Sequence, residues 1–270
     1  MIRLALWLWL LGFVAVPLLI VLGMGWGAAQ PGIPPVRGPI GAQGWQGSTE
    51  AWSLLYSDGF YLAAAARSFR LAALTAGACL LLGFAMALAI ARARRPALWL
   101  ALVLAPFLTG FVLRLAAWVG LLRDSGWINT VLGTGWRMLG TEGAMWLGMV
   151  HAYLPFAVVP LAAALLRRDV ALEEAAADLG ATPFTVFRTV TLPLAAPAAA
   201  AAFLLVFIPA AGEVVIPELL GPPDAMLLGR AIWAEFFQTR DWPMAAALAT
   251  ALLGLLLPPL WLQQRMARRA

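Results

Sequence analysis

The hydrophobic positions of this chain gather into long blocks, and the polar positions into short segments that punctuate them. A helix needs about 20 consecutive apolar residues to cross the ~30 Å hydrocarbon core of a bilayer. Six blocks are long enough: Leu4–Met24, Ala72–Ala91, Leu98–Leu122, Ala144–Leu166, Ala195–Pro217 and Met244–Gln263. The pattern predicts an all-α integral membrane protein with about six transmembrane helices. Arg3 before the first block and GAAQ after it would also suit a cleaved signal peptide. The length of that block and its tryptophans favour a retained span. The organisation expected is a first helix with a long outer loop over 1–66, a transmembrane core over 67–264 and a basic tail over 265–270.

The outer loop opens with QPGIPPVRGPIGAQG, whose Pro and Gly density predicts an extended excursion with no repeat. STEAWSLLYSDGFYLAAAARSF follows; it is mildly amphipathic and reads as a helix lying at the membrane interface. AIWAEFF, before the sixth block, has the same character and is expected to lie along the interface or plug a pathway from outside.

Composition sharpens the class. Hydrophobic residues make up 63% of the chain and charged ones 11%, against about 25% charged in soluble domains. A net charge of +5 raises the question of nucleic acid, but there is no Lys, and the arginines form no single stripe. They crowd the ends of the blocks, in ARARR, LLRRD and RMARR. Short cytoplasmic loops collect such residues, so both termini and the segment 167–193 are expected in the cytoplasm. The single Cys79 sits in an apolar run, which excludes a disulfide framework or thiolate cluster. His151 has no second His nearby, so a polar contact in a bundle is expected rather than a metal site.

The segment from Glu173 to Pro193, EEAAADLGATPFTVFRTVTLP, is charged and punctuated between two blocks. Asp169 is placed to cap a helix, and Glu173 and Glu174 lie early, where the helix dipole favours negative charge. Leu172, Ala175, Ala176 and Leu179 recur at helical spacing, and Gly180 fits a C-terminal cap. Thr182 and Pro183 then start a second short helix. It is expected to stop where Leu192–Pro193 enters the fifth block. From the residues alone, either a solvated interfacial loop or a docking element fits.

The segment resembles the EAA loop of ABC importer permeases: Glu-Ala-Ala, three residues, Gly, nine residues, an aliphatic, one residue, Leu-Pro. The matching positions are Glu174, Ala175, Ala176, Gly180, Val190, Leu192 and Pro193, with Val190 in place of the commoner Ile. The resemblance implies a coupling helix that docks into a cleft on an ATP-hydrolysing subunit. Without Lys the chain has no G-x-x-x-x-G-K-[ST] phosphate loop, so it is expected to hydrolyse no ATP and to bind no cofactor. ATP and Mg would belong to the partner ATPase dimer.

APFLTGFVLRLAAWVGLLRDSGWIN, HAYLPFAVVPL, GEVVIPELLGPPD and RDWPMAAA are similar to stretches of putrescine/spermidine importer permeases. This similarity runs from about Ser68 to Trp261 and leaves out Gly25–Gln46. It implies a second permease subunit, an extracytoplasmic binding protein, the bacterial inner membrane and a polyamine substrate. Permeases for thiamine or ferric iron share much of the pattern. A self-sufficient secondary transporter would need inverted repeats, and an intramembrane enzyme paired catalytic groups. Neither is visible.

Glu213 and Glu218, expected in the outer half of the fifth block, could replace the water shell of a diamine's ammonium groups. Trp118 and Tyr153 could offer ring faces to a cation. The plainer alternatives are a Glu213–Arg114 pair, an ion pair for Glu218 at the membrane surface and simple packing for the rings. Asp241 and Trp242, just before the sixth block, are candidates for an outer gate. The loop 123–143, together with the outer loop that carries Asp224 and Glu235, is the expected docking surface for the binding protein.

Overall fold

In the membrane core the backbone has no water to bond, so apolar runs satisfy their own N–H and C=O groups as helices. The computed structural model of the chain describes residues 2–42 and 44–267; Arg268 and Arg269 of the basic tail lie outside them. Five described helices are long and apolar enough to span: Leu4–Met24, Gly59–Arg92, Glu142–Leu166, Pro183–Ala211 and Trp242–Arg265. A pair bent by 86°, Pro96–Leu108 with Phe111–Leu132, brings the number to six when counted as one broken span.

The chain forms two compact units, each described in turn. The first holds Met1–Ser68, Gly212–Val214 and Met226–Leu257. Its first helix, α1 (Leu4–Met24), is apolar all round, with its side chains largely exposed. A π-helical turn at Leu11–Ala15 precedes Pro17, whose ring crowds the carbonyl four residues back and widens the ladder. Two small hairpins follow, β1–β2 (Ala28–Ala29, Val36–Arg37) and β3–β4 (Ile40–Gly41, Gly44–Trp45). Trp26 lies against Trp45 and Trp52, with centroids 6.4 and 5.3 Å away.

The amphipathic stretch expected at the interface is instead split. Its first part is α2 (Glu50–Ser57), and its second part opens the 34-residue helix α3 (Gly59–Arg92). Asp58 causes the division: it is extended, and its Oδ1 accepts from the Phe60 N–H at 2.8 Å. Ala51 and Leu55 of α2 are buried in a core with Leu228, Ala231, Met244, Ala247 and Leu248, so its apolar face is spent on protein. In that core they meet α11 (Leu228–Ala234), which holds the first half of AIWAEFF while a π turn at Glu235–Thr239 holds the rest, and the final helix α12 (Trp242–Ala267).

The second unit holds Phe69–Ala211, Val215–Ala225 and Pro258–Ala270. Its centre is the packing of α7 (Glu142–Leu166) on α9 (Pro183–Ala211). Small residues let helices close up, as membrane packing requires. A Cβ on Gly83 of α3 would lie 3.1 Å from that of Ala157, and one on Gly148 would collide with Leu220. That leucine ends α10 (Val215–Leu220).

Two expectations are corrected here. The block Leu98–Leu122 is not one helix: α4 (Pro96–Leu104) tightens into a 3-10 turn at Ala105–Leu108, and α5 (Phe111–Leu122) departs at 86°. Thr109 and Gly110 take extended ψ values of 148° and 141° at the corner, and Gly110 supports helix poorly. A short α6 (Trp127–Leu132) follows. Second, the helix that starts at Pro183 does not stop at Leu192–Pro193. It passes through a π turn at Phe187–Thr191, which absorbs Pro193, and runs on to Ala211. The fifth span therefore ends before Gly212, well short of Pro217.

Candidate coupling loop and substrate path

Between α7 and α9 the chain makes one further helix, α8 (Val170–Asp178), and each turn of the path has a local cause. Asp169 Oδ1 accepts from the Ala171 N–H at 3.0 Å, an N-cap of the kind worth about 1 kcal/mol. At the other end Gly180 takes φ +86°, a left-handed conformation that side chains resist. Its N–H bonds the Ala177 carbonyl at 2.8 Å, and that of Ala181 bonds Ala176 at 3.1 Å. Those two bonds are the Schellman pattern. Thr182 then caps α9, its Oγ1 accepting from the Thr185 N–H at 3.3 Å, with Pro183 in the first turn. The caps expected from the sequence are all present.

A strut that the sequence reading missed ties this loop to the spans. Arg168 donates from Nε to Glu173 Oε1 at 2.9 Å and from Nη1 to the Leu165 carbonyl at 2.7 Å. Thr191 donates its hydroxyl to the same Glu173 oxygen at 2.7 Å. One carboxylate so joins the end of α7, α8 and the π turn of α9. The Arg168–Glu173 pairing is legible in RRDVALEE, but Thr191 lies 18 residues away and only the fold brings it in. Burial alone would raise the Glu173 carboxyl, but the bonds from Thr191 and Arg168 and the charges of Arg168 and Arg92 outweigh it. It is held below the ordinary carboxylate value.

With a depressed value in the folded state, the strut's contribution is full above the unfolded-state value and is lost as pH falls through the depressed one. Protection of the Val170–Gly180 amides, taken as exchange relative to the intrinsic rate at each pH, should therefore fall on acidification in the native chain. In Glu173→Gln protection should already be low at neutral pH; equal protection in both would exclude the strut.

The motif residues divide by exposure. Glu174 and Ala175 are exposed, Ala176 is half-buried, and Leu179 and Phe184 stand out at 90% and 71% exposure. Leu172 is also exposed, so the apolar face expected on α8 points to solvent. Val190 is half-buried, while Leu192 and Pro193 are exposed on the first turns of the span. Glu174 is without a hydrogen bond or ion pair among the described residues. Glu173 is the internal tie, and Glu174 is left for whatever lies outside.

The residues expected along a substrate path are more dispersed. Glu213 is buried in the break after α9, its Oε1 accepting from the Val214 N–H at 3.1 Å. Glu218 is exposed on α10 and belongs to the other compact unit. Trp118 and Tyr153 do not form a pair: Trp118 meets His151 edge-on at 5.4 Å, and Tyr153 meets Phe156 at 6.2 Å. Asp241 Oδ1 caps α12 by accepting from the Met244 N–H at 2.9 Å. Trp242 stacks on Phe236 at 4.8 Å and donates from Nε1 to its carbonyl at 3.2 Å, so both residues close the turn between α11 and α12. Nearby, Glu235 takes hydrogen bonds from Tyr61 at 2.7 Å and Thr239 at 2.6 Å. The acid expected at Arg114 is absent among the described residues. Its guanidinium lies 4.4 Å from the Phe107 ring, with Nε and Nη1 buried and unbonded.

Residues 4–270 match the family described as binding-protein-dependent transport system inner membrane component. The chain belongs to that family. It is thus a permease, a transport component of an inner membrane. It is 33% identical over 261 residues to the spermidine/putrescine transport system permease protein PotB of Haemophilus influenzae, covering 92% of this chain and 88% of that one. With PotB of Escherichia coli strain K12 the identity is 33% over 78% of this chain and 81% of the relative. Among solved structures, a bacterial alginate ABC transporter in complex with alginate pentasaccharide-bound periplasmic protein matches at TM-score 0.76. It covers 99% of this chain and 93% of that one, and at 19% identity it speaks for the fold alone.

Proposed function

We propose that this permease is one of two related membrane subunits of an importer that moves polyamines, putrescine or spermidine, into the cytoplasm. The observation that carries the substrate is 33% identity over 92% of the chain to a permease named for spermidine and putrescine. ATP and Mg are used by a separate ATPase dimer, since this chain has no Lys for a phosphate loop. The segment 167–193 is its cytoplasmic coupling element, and both termini share that side, in keeping with the arginine clusters. An extracytoplasmic binding protein delivers the substrate to the opposite face.

In this reading, closure of the ATPase dimer moves Glu174, Ala175 and the Gly180 bend. The strut at Glu173 passes that motion to the ends of α7 and α9. Because α9 is one continuous helix from Pro183 to Ala211, a push at its loop end is carried along the span. Glu213 and Glu218 are each assigned to the substrate path, where their carboxylates would meet ammonium groups.

The test is ATP-dependent uptake of labelled putrescine by the complete transporter, with spermidine, thiamine and ferric iron as competitors. Wild type is expected to take up putrescine, with spermidine competing. Glu218→Gln should lower uptake by about tenfold if the lost charge contact is worth near 1.4 kcal/mol. A complex that hydrolyses ATP yet moves no polyamine would leave the family assignment standing and remove the substrate.

A further inference from the structure

Beside the strut is a cleft of about 290 Å³, lined by Ala164, Leu165, Arg167, Arg168, Asp169, Leu172, Thr191, Leu194 and Ala195. Its two ends differ in chemistry. Arg167, Arg168 and Asp169 form a polar mouth at the end of α7, and Leu165, Leu172, Leu194, Ala164 and Ala195 form an apolar wall. The wall lies where two spanning helices meet the loop, and Leu194 is exposed on the span side.

The arginines are not used up. The Arg168 side chain is nine-tenths buried, spends Nε on Glu173 and Nη1 on the Leu165 carbonyl, and has no partner for Nη2 among the described residues. Arg167 donates only from Nε, to the Ala163 carbonyl at 3.1 Å. A guanidinium carries five N–H donors in a planar fork that suits phosphate. Arg92 adds a third positive charge felt at Glu173. Of the two carboxylates here, Glu173 is neutralised by Arg168 and Thr191, and Asp169 turns an oxygen to the Ala171 N–H. With Arg92 counted, the three arginines around the strut exceed these two carboxylates by one charge.

We infer that this cleft binds a phosphate group, with Arg167 and Arg168 as donors and the leucine wall accepting an attached apolar chain. An anionic phospholipid headgroup and free phosphate share the chemistry. Basic pockets between helices on the cytoplasmic side are suited to such headgroups. The ligand braces the strut, since Arg168 holds Glu173 and the phosphate together, and so links membrane lipid to the loop that receives motion. The inference rests on the membrane side proposed above and is independent of the transported substrate.

The complete transporter is placed in nanodiscs of phosphatidylcholine with or without phosphatidylglycerol, and retained lipid is counted by native mass spectrometry. One phosphatidylglycerol is expected to stay bound to this subunit. Arg167→Gln should weaken that retention about fivefold, the effect of one arginine near a lipid surface. Arg95→Gln, which also removes an arginine but not from the cleft, should leave retention unchanged. If the source is free phosphate, phosphatidylglycerol is not retained, and millimolar inorganic phosphate raises the unfolding temperature in phosphatidylcholine discs in wild type but not in Arg167→Gln. Equal retention in wild type and Arg167→Gln, with no shift from phosphate, overturns the site. Loss in Arg95→Gln as large as in Arg167→Gln overturns it too, because the effect would be one of general charge. Retention is read without any transport, so its failure is separate from failure of the polyamine assignment.

Discussion

Gly180→Asp should abolish ATP-driven uptake while the permease stays inserted and assembled at near-normal levels. The backbone at Gly180 has φ +86°, and a residue with a Cβ pays about 1–2 kcal/mol to remain there. A Cβ would meet no atom within 4 Å, so crowding contributes nothing and the penalty is conformational. The chain relieves it by moving φ, which breaks the bonds from Gly180 and Ala181 back to Ala177 and Ala176. The last turn of α8 loosens, and the exposed Glu174–Ala176 face loses its fixed angle to α9. Little is buried here, so global stability barely changes.

Asn tolerates the left-handed region far better than a β-branched side chain, so Gly180→Asn should retain more of the uptake than Gly180→Val. That ordering separates a conformational cause from a general intolerance of substitution. Glu174→Arg reaches the same end by another route: no internal partner is lost, only the sign of an exposed charge changes. Uptake, ATPase activity of the complex and membrane-inserted protein would be measured together. Normal uptake in Gly180→Asp would end the coupling role.

What the sequence disclosed and what it hid follow from distance along the chain. The caps at Asp169, Gly180 and Thr182–Pro183 are set by residues within three or four positions, and each appears as expected. The apolar blocks also became helices, because length and hydropathy are local sums. The corner at Thr109–Gly110 was hidden, because Leu98–Leu122 reads as one apolar run. Its Pro106 gives no warning either, since Pro155, Pro160, Pro197 and Pro209 all lie inside helices of this chain. In lipid a proline is tolerated wherever neighbouring groups meet the freed carbonyl.

The site divides in the same way. The motif singles out Glu174, whereas the internal tie is its neighbour Glu173, whose partner Thr191 joins it only when α9 folds back. Glu213 and Glu218 both read from the sequence as lying in the outer half of the fifth block. The break at Gly212 ends the helix between them and the loop, and it gives them unlike surroundings, one buried and one exposed. Asp241 and Trp242 are explained as fully by a helix cap and a ring stack as by a gate.

The second large effect is expected at Gly229. A Cβ there would lie 2.5 Å from the Gly212 carbonyl oxygen and 2.8 Å from that of Glu213. Both are backbone atoms, so no rotamer change relieves the contact, and α11 or the break must shift. Overpacking of this kind typically costs about 1–3 kcal/mol. The start of α11 has little freedom to give, since the Leu228 N–H is bonded to Ser68 Oγ at 2.7 Å and Leu228 and Ala231 are buried in the core of the first unit. Gly229→Ala should therefore lower the unfolding temperature of the detergent-solubilised permease. Gly254→Ala serves as the control: it lies in α12, nothing stands within 4 Å of its Cβ, and helix propensity favours Ala by about 1 kcal/mol. It should be neutral or stabilising. If Gly229→Ala also lowers uptake per inserted molecule, the break carrying Glu213 has to be held in place by α11 for transport. If stability falls and uptake per molecule is unchanged, α11 supports the fold alone. If neither changes, the close approach is not kept in the membrane-embedded protein.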